Sequence, residues 1–163
     1  MKVSIKSLLP HLIAVLMFVI LPSIYFSPLY NGYTLKQSDI RQFQGMSKEI
    51  FDYKLSHNGE QTMWTNAMFG GMPSYQISVT QDSNLLTTLD QVIKLGLPRP
   101  VGILFISMLG FYILGLCLRI NPWLSMIGAV AYGFSTINIL YLGAGHMSKV
   151  NAIAYMAPAL GGL

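Results

Sequence analysis

Apolar positions along the chain gather into long uncharged blocks on either side of one mixed segment. From Ser7 to Leu35 there is no Lys, Arg, Asp or Glu, and the densest part is Leu12 to Leu21. Val101 to Leu118 is apolar apart from Ser107, Tyr112 and a few glycines, and Trp123 to Leu142 is a further uncharged run. About 20 residues rising 1.5 Å each cross a hydrocarbon core of roughly 30 Å, and a helix satisfies its own backbone there. The blocks therefore predict transmembrane helices: a cytoplasmic N-terminus and first span in 1–26, a second span in 101–118 and a third in 123–142. Residues 150–163 have the same character but roughly two-thirds of the required length. They read as the start of a fourth span, in the N-terminal piece of a longer protein.

The mixed segment, 27–100, is predicted to be a large loop with structure of its own. Ile40, Phe43, Met46, Ile50 and Tyr53 recur at three- and four-residue steps, with Arg41, Lys48 and Asp52 off that stripe. This pattern predicts an amphipathic helix over Asp39 to Leu55, stopped by His57-Asn58-Gly59 and lying along the membrane surface. Ser83 to Leu95 predicts a second, weaker one, with Leu85, Leu86, Leu89, Val92 and Ile93 on one side and Gly96 to Pro100 breaking it. The fold class expected is all-α: a polytopic transmembrane helical protein with a large extracytoplasmic loop carrying membrane-surface helices.

Composition agrees and adds an orientation. Charged residues make up 10% of the chain, against about 25% in an ordinary soluble domain, and the mean hydropathy is +0.52. Disorder, a collagen-like chain and a nucleic-acid-binding basic domain are excluded. All six acids lie between Asp39 and Asp90, and the six basic residues of the stretch Lys36 to Arg99 balance them. The net charge of +4 thus comes from Lys2, Lys6, Arg119 and Lys149. Short-loop basic residues mark the cytoplasmic side. Lys2 and Lys6 precede the first span and Arg119 lies in the turn 119–122, which places the loop 27–100 and the short loop 143–149 outside, with Lys149 the single violation. Trp123 and Tyr141 bracket the third span as interfacial aromatics. Tyr25-Phe26-Ser27 is not a small-residue cleavage site, so the first span is read as an uncleaved helix rather than a signal peptide. The lone Cys117 lies in an apolar run and reports nothing about redox compartment.

Few residues offer chemistry. Asp39, about a dozen positions after the first span, is a carboxylate at the outer surface. It can act as general base or bind a cation, or, with Gln42 three residues on, simply cap the helix. His146 and Lys149 project from one helical face at the mouth of the fourth span, as phosphate ligands or as an interfacial pair. Trp64, Asn66, Tyr75 and Gln76 are of the types that stack on and hydrogen-bond to sugars, or they build a compact turn. His11 reads as interfacial, and Glu49 and Asp52 as solvated charges. There is no HExxH, CxxC, Walker loop or GxSxG, and no DxD pair.

Gln37-Ser38-Asp39-Ile40, Gly45-Met46-Ser47-Lys48-Glu49-Ile50, the stretch from Trp64-Thr65-Asn66 to Met72-Pro73, and the stretch from Gly145-His146-Met147-Ser148-Lys149 to Ala157-Pro158 resemble the YfhO-type bacterial membrane proteins, particularly the form found in Bacteroidetes. The likeness covers essentially the whole chain. It implies a GT-C-like glycosyltransferase fold with many more spans, which takes a sugar from a polyprenyl-phosphate donor at the outer face of the bacterial cytoplasmic membrane. The acceptor would be a cell-envelope glycan or glycolipid. The resemblance assigns Asp39 the essential acid after the first span; the mechanism expected from the residues themselves puts His146 and Lys149 on the leaving phosphate. A single acid leaves the use of a divalent cation open. The rival readings are a transporter or lipid flippase and a non-catalytic membrane scaffold.

Overall fold

A computed structural model describes residues 5–78 and 84–162, with the side chains of residues 5 and 6 left out. Lys2, the predicted helix start at Ser83 and the terminal Leu163 lie outside the described residues. The described chain is mostly helical and divides into two compact units, one within 37–85 and one formed by the residues before and after it.

The apolar unit contains α1 (Ile5–Tyr25), α3 (Leu85–Ile93, from Leu86 onward), α4 (Arg99–Cys117), α5 (Pro122–Gly133), α6 (Thr136–Ala144) and α7 (Met147–Gly161). Three stretches are long and apolar enough to cross a membrane: Ser7–Tyr25, Arg99–Cys117 and Pro122–Ala144. Their length and composition are those of a membrane protein's helices. α4 is the central one, packed against α1, α5 and α7. Of its span 67% is buried, against 17% for α1, so α4 faces protein and α1 faces outward. α1 separates its faces cleanly. Ala14, Phe18 and Pro22 are buried, while Leu12, Leu16, Ile20 and Ile24, offset from them by two, are exposed. This is the surface a lipid-facing helix presents.

Lipid is as apolar as Leu, so close approach of backbones rather than loss of apolar area holds such helices together. Two glycines of α4 provide it. A Cβ at Gly110 would lie 2.7 Å from Pro158 Cδ and 2.9 Å from the Ala154 carbonyl of α7. At Gly115 it would lie 2.6 Å from Ser125 Oγ of α5. Tyr112 also reaches across: its hydroxyl is 2.8 Å from His11 Nδ1 of α1. His11 is half-buried.

The predicted third span is not one helix. It breaks at Phe134-Ser135, between α5 and α6. A break frees carbonyls, which must find donors in an apolar setting. Fully buried Asn138 supplies them, its Nδ2 donating to the Tyr132 carbonyl (2.9 Å) and the Gly133 carbonyl (3.2 Å). The Tyr132 hydroxyl donates in turn to the Ile153 carbonyl of α7 (2.9 Å).

The second unit is built on α2 (Ser38–Ser56), one residue longer at each end than predicted. Ser47 and Ile50 are buried along it and Ile40, Phe43, Met46 and Tyr53 half-buried, so the expected stripe is the inner face. It stops at His57, followed by Asn58 (φ 53°) and Gly59 (φ 93°). Beyond it comes an element the all-α expectation did not contain, a short antiparallel ladder of β1 (Trp64–Thr65) and β2 (Met72–Pro73). Trp64 lies opposite Pro73 and Thr65 opposite Met72.

Candidate functional site

Asp39 is not the N-cap of α2. Gln37 holds that position, and Asp39 is in the first helical turn with Ser38 Oγ 3.4 Å from its Oδ1. Near a helix N-terminus the partial positive charge of unpaired N–H groups attracts a carboxylate. Its half-buried setting leaves an edge open to solvent.

Ten residues further along α2, about 15 Å at 1.5 Å each, is Glu49. Read from sequence as a solvated charge, it is the organising centre of the hairpin. It accepts from Thr65 Oγ1 (2.5 Å), the Asn66 backbone N–H (2.8 Å) and Asn66 Nδ2 (3.3 Å). Led by the Thr65 bond, these donors outweigh the effect of burial and hold the Glu49 carboxyl below its usual range. Asn66, held in this way, accepts from Trp64 Nε1 (3.3 Å). The indole lies flat on Gly71 (φ 125°), where a Cβ would come within 2.7 Å of the ring. Ser74, fully buried, closes the turn by donating to the Thr62 carbonyl (2.5 Å). Tyr75 and Gln76 follow on the same short turn, exposed. Trp64, Asn66, Tyr75 and Gln76 are thus brought into one loop cluster, with Trp64 53% and Tyr75 63% exposed. Asp39 is not part of this cluster.

In the apolar unit, His146 and Lys149 converge on Tyr141 at the start of α7. The His146 ring meets the tyrosine edge-on at 5.5 Å and the Lys149 ammonium stands 5.5 Å from the ring centroid. Lys149 is exposed and His146 half-buried.

The neighbouring face of α7 opens on a cavity of about 470 Å³, between α3, the start of α4 and the start of α7. Its polar wall is Asp90, Gln91, Lys94, Arg99, Ser148 and Asn151, none of which sequence patterns singled out. Lys94, 8% exposed, donates to Asp90 Oδ2 (2.7 Å) and across to Asn151 Oδ1 (2.8 Å). The Tyr155 hydroxyl donates to Asp90 Oδ1 (2.6 Å). Burial pushes the Asp90 carboxyl up, but the bonds from Lys94 and Tyr155 and the charge of Lys94 leave it below its usual range. The Asp90–Lys94 spacing of four, acid first, is a legible helical pair. Asn151 lies 57 positions away in sequence, and nothing local announces it.

Among the described residues, no three His, Cys, Asp or Glu side chains come together as metal ligands. No protein-family model, curated protein or solved structure matches the chain.

Proposed function

We propose that this chain belongs to a polytopic enzyme of the bacterial cytoplasmic membrane that moves a sugar from a polyprenyl-phosphate donor to a cell-envelope acceptor. The N-terminus would be cytoplasmic and the segment 27–100 outside. The observation that carries this reading is where the charges stand. Pro100–Cys117 and Pro122–Ala144 hold no Lys, Arg, Asp or Glu, nor does the α1 span beyond Ser7. The charged side chains stand at helix ends or between helices instead, among them Arg99 at the start of α4, Arg119 between α4 and α5, and Lys149 in the first turn of α7. Chemistry at a membrane surface needs such groups at helix ends, whereas conduction through the bilayer draws on ionisable groups near its middle. The resemblance to YfhO-type proteins supports the same reading.

In the mechanism, Asp39 accepts the proton of the acceptor hydroxyl as its oxygen attacks the anomeric carbon. The bond from that carbon to the phosphate oxygen breaks on the opposite face, with inversion, and the lipid phosphate leaves with the electron pair. His146 and Lys149 stabilise its charge, and Trp64, Asn66, Tyr75 and Gln76 offer stacking and hydrogen bonds to a sugar. Asp39→Asn in the full-length protein should lower transfer of labelled sugar from lipid phosphate by about 10²-fold or more while membrane insertion is unchanged. Transfer at the wild-type rate would remove Asp39 from the mechanism.

One observation favours the transporter or flippase reading instead. At the break between α5 and α6, Asn138 Nδ2 satisfies the Tyr132 and Gly133 carbonyls, and its Oδ1 is buried without a partner among the described residues. Interrupted helices with such groups form ion and substrate sites in transporters. Consumption of the lipid-linked donor separates the two, since a transporter moves its cargo without breaking the bond.

A further inference from the structure

The two faces of α3 differ in chemistry. One, through Asp90 and Gln91 and continued by Lys94 just past the helix end, lines the polar cavity. The other, through Leu86, Leu89 and Ile93, lines an apolar groove of about 320 Å³ that Asp90 and Tyr155 share. Leu86 and Leu89 are 71% and 54% exposed, in a unit whose helices already have the composition for lipid.

The hydrogen-bonding capacity of the cavity is one-sided. Both oxygens of Asp90 are engaged, one by Lys94 and one by Tyr155. Asn151 spends its oxygen on Lys94, which leaves its amide N–H groups as donors. Lys94 makes two bonds and has a third N–H to give. Arg99 stands at the first turn of α4, exposed, with no ion pair among the described residues. Asp90 cancels one of the two cations, so the wall carries a surplus positive charge and a surplus of donors. Gly102 lets this arrangement form: a Cβ there would press on Lys94 Cβ at 3.2 Å, on the stem that carries the ammonium across α4. A volume of about 470 Å³ is within the roughly 300–1,000 Å³ of small-molecule sites, far more than a lone inorganic anion fills.

We propose that this cavity and groove together hold an anionic phospholipid, its phosphate bonded by Arg99, Lys94, Asn151 and Ser148 and one of its chains laid along Leu86, Leu89 and Ile93. Arg99 gives the planar fork that suits phosphate oxygens, and Lys94 a fixed point charge behind it. His146 and Lys149 do not line this cavity. The site is independent of sugar transfer and does not involve Asp39, so the two readings stand or fall separately.

The test is native mass spectrometry of the purified protein released from nanodiscs of mixed phosphatidylglycerol and phosphatidylcholine. The wild type should retain phosphatidylglycerol over phosphatidylcholine. Arg99→Gln should lower that retention about tenfold, the scale of one charge-assisted hydrogen bond. Leu89→Ser should lower it as well, with thermal unfolding showing that both variants are folded. Arg119→Gln, outside the cavity and exposed, should leave retention as it was. Wild-type retention by Arg99→Gln overturns the proposal, and so does an equal loss in Arg119→Gln, which would mean diffuse surface attraction. Displacement of the lipid by millimolar inorganic phosphate would also overturn it, by showing that the cavity takes the free anion and the groove contributes nothing.

Discussion

Lys94, in the turn just past α3, and Asn151 of α7 meet at 2.8 Å across 57 positions of sequence, and through this bond a short amphipathic helix is tied to the apolar bundle. The lysine side chain is 10% exposed and its partner Asp90 34%. An ammonium so enclosed must be paired, because a buried charge without a partner costs several kcal/mol.

Lys94→Met should therefore destabilise the apolar unit by about 1–3 kcal/mol, below the 3–5 kcal/mol of a fully buried broken pair because Asp90 keeps contact with water. Asp90→Asn in the same chain should return most of that loss. A double-mutant cycle on thermal unfolding in detergent measures the coupling. Additive single effects would show that the pair contributes nothing beyond packing.

Glu49→Gln should loosen the loop 62–76 while leaving α2 intact, because Gln keeps one carbonyl acceptor but loses the charge that Thr65 and Asn66 bond. The expected sign is a gain in backbone exchange and in quenching of Trp64 fluorescence by a soluble quencher. Acid should do the same to the wild type. A carboxyl held below its ordinary value, 4.5 for Glu49, contributes stability that is fully present above that value and is lost as pH falls through the depressed one. Trp64 accessibility that rises between neutral pH and 4.5, and not below, would contradict this assignment.

Gly110→Val should cost about 1–3 kcal/mol or more, the range for overpacking a tight contact. The added carbons meet Pro158 Cδ and the Ala154 carbonyl, one a ring and the other backbone, and neither can rotate away. Gly143→Val is the control, since a Cβ there meets nothing within 4 Å. Equal unfolding temperatures for the two variants would place α4 and α7 further apart than described.

Much of the architecture was legible before any coordinates. The uncharged blocks, the inner stripe of α2 and its stop at His57-Asn58-Gly59 follow from composition, period and turn residues, which act locally. Three features were not. A run of uncharged residues from Trp123 to Leu142 carries no mark that Asn138 will turn inward and cap the carbonyls of a break. Glu49 sits beside exposed Lys48 and Asp52 in sequence, and only the return of the loop at Thr65 and Asn66 distinguishes it from them. Asp39 fits a capping pattern, yet Gln37 takes the cap.

Sequence alone determined which segments have the length and composition for lipid, where the helices other than α5 and α6 start and stop to within a few residues, and that the acids are confined to the segment between the first two apolar blocks. These are properties of single segments, set by side-chain hydropathy and backbone preference. Tertiary structure alone decided which polar groups meet. Lys94 with Asn151, Glu49 with Thr65 and Asn66, and His11 with Tyr112 are paired by helix packing and chain return. A polar group withdrawn from water takes whichever partner the fold brings within 3 Å or so, and distance along the chain has no bearing on that choice.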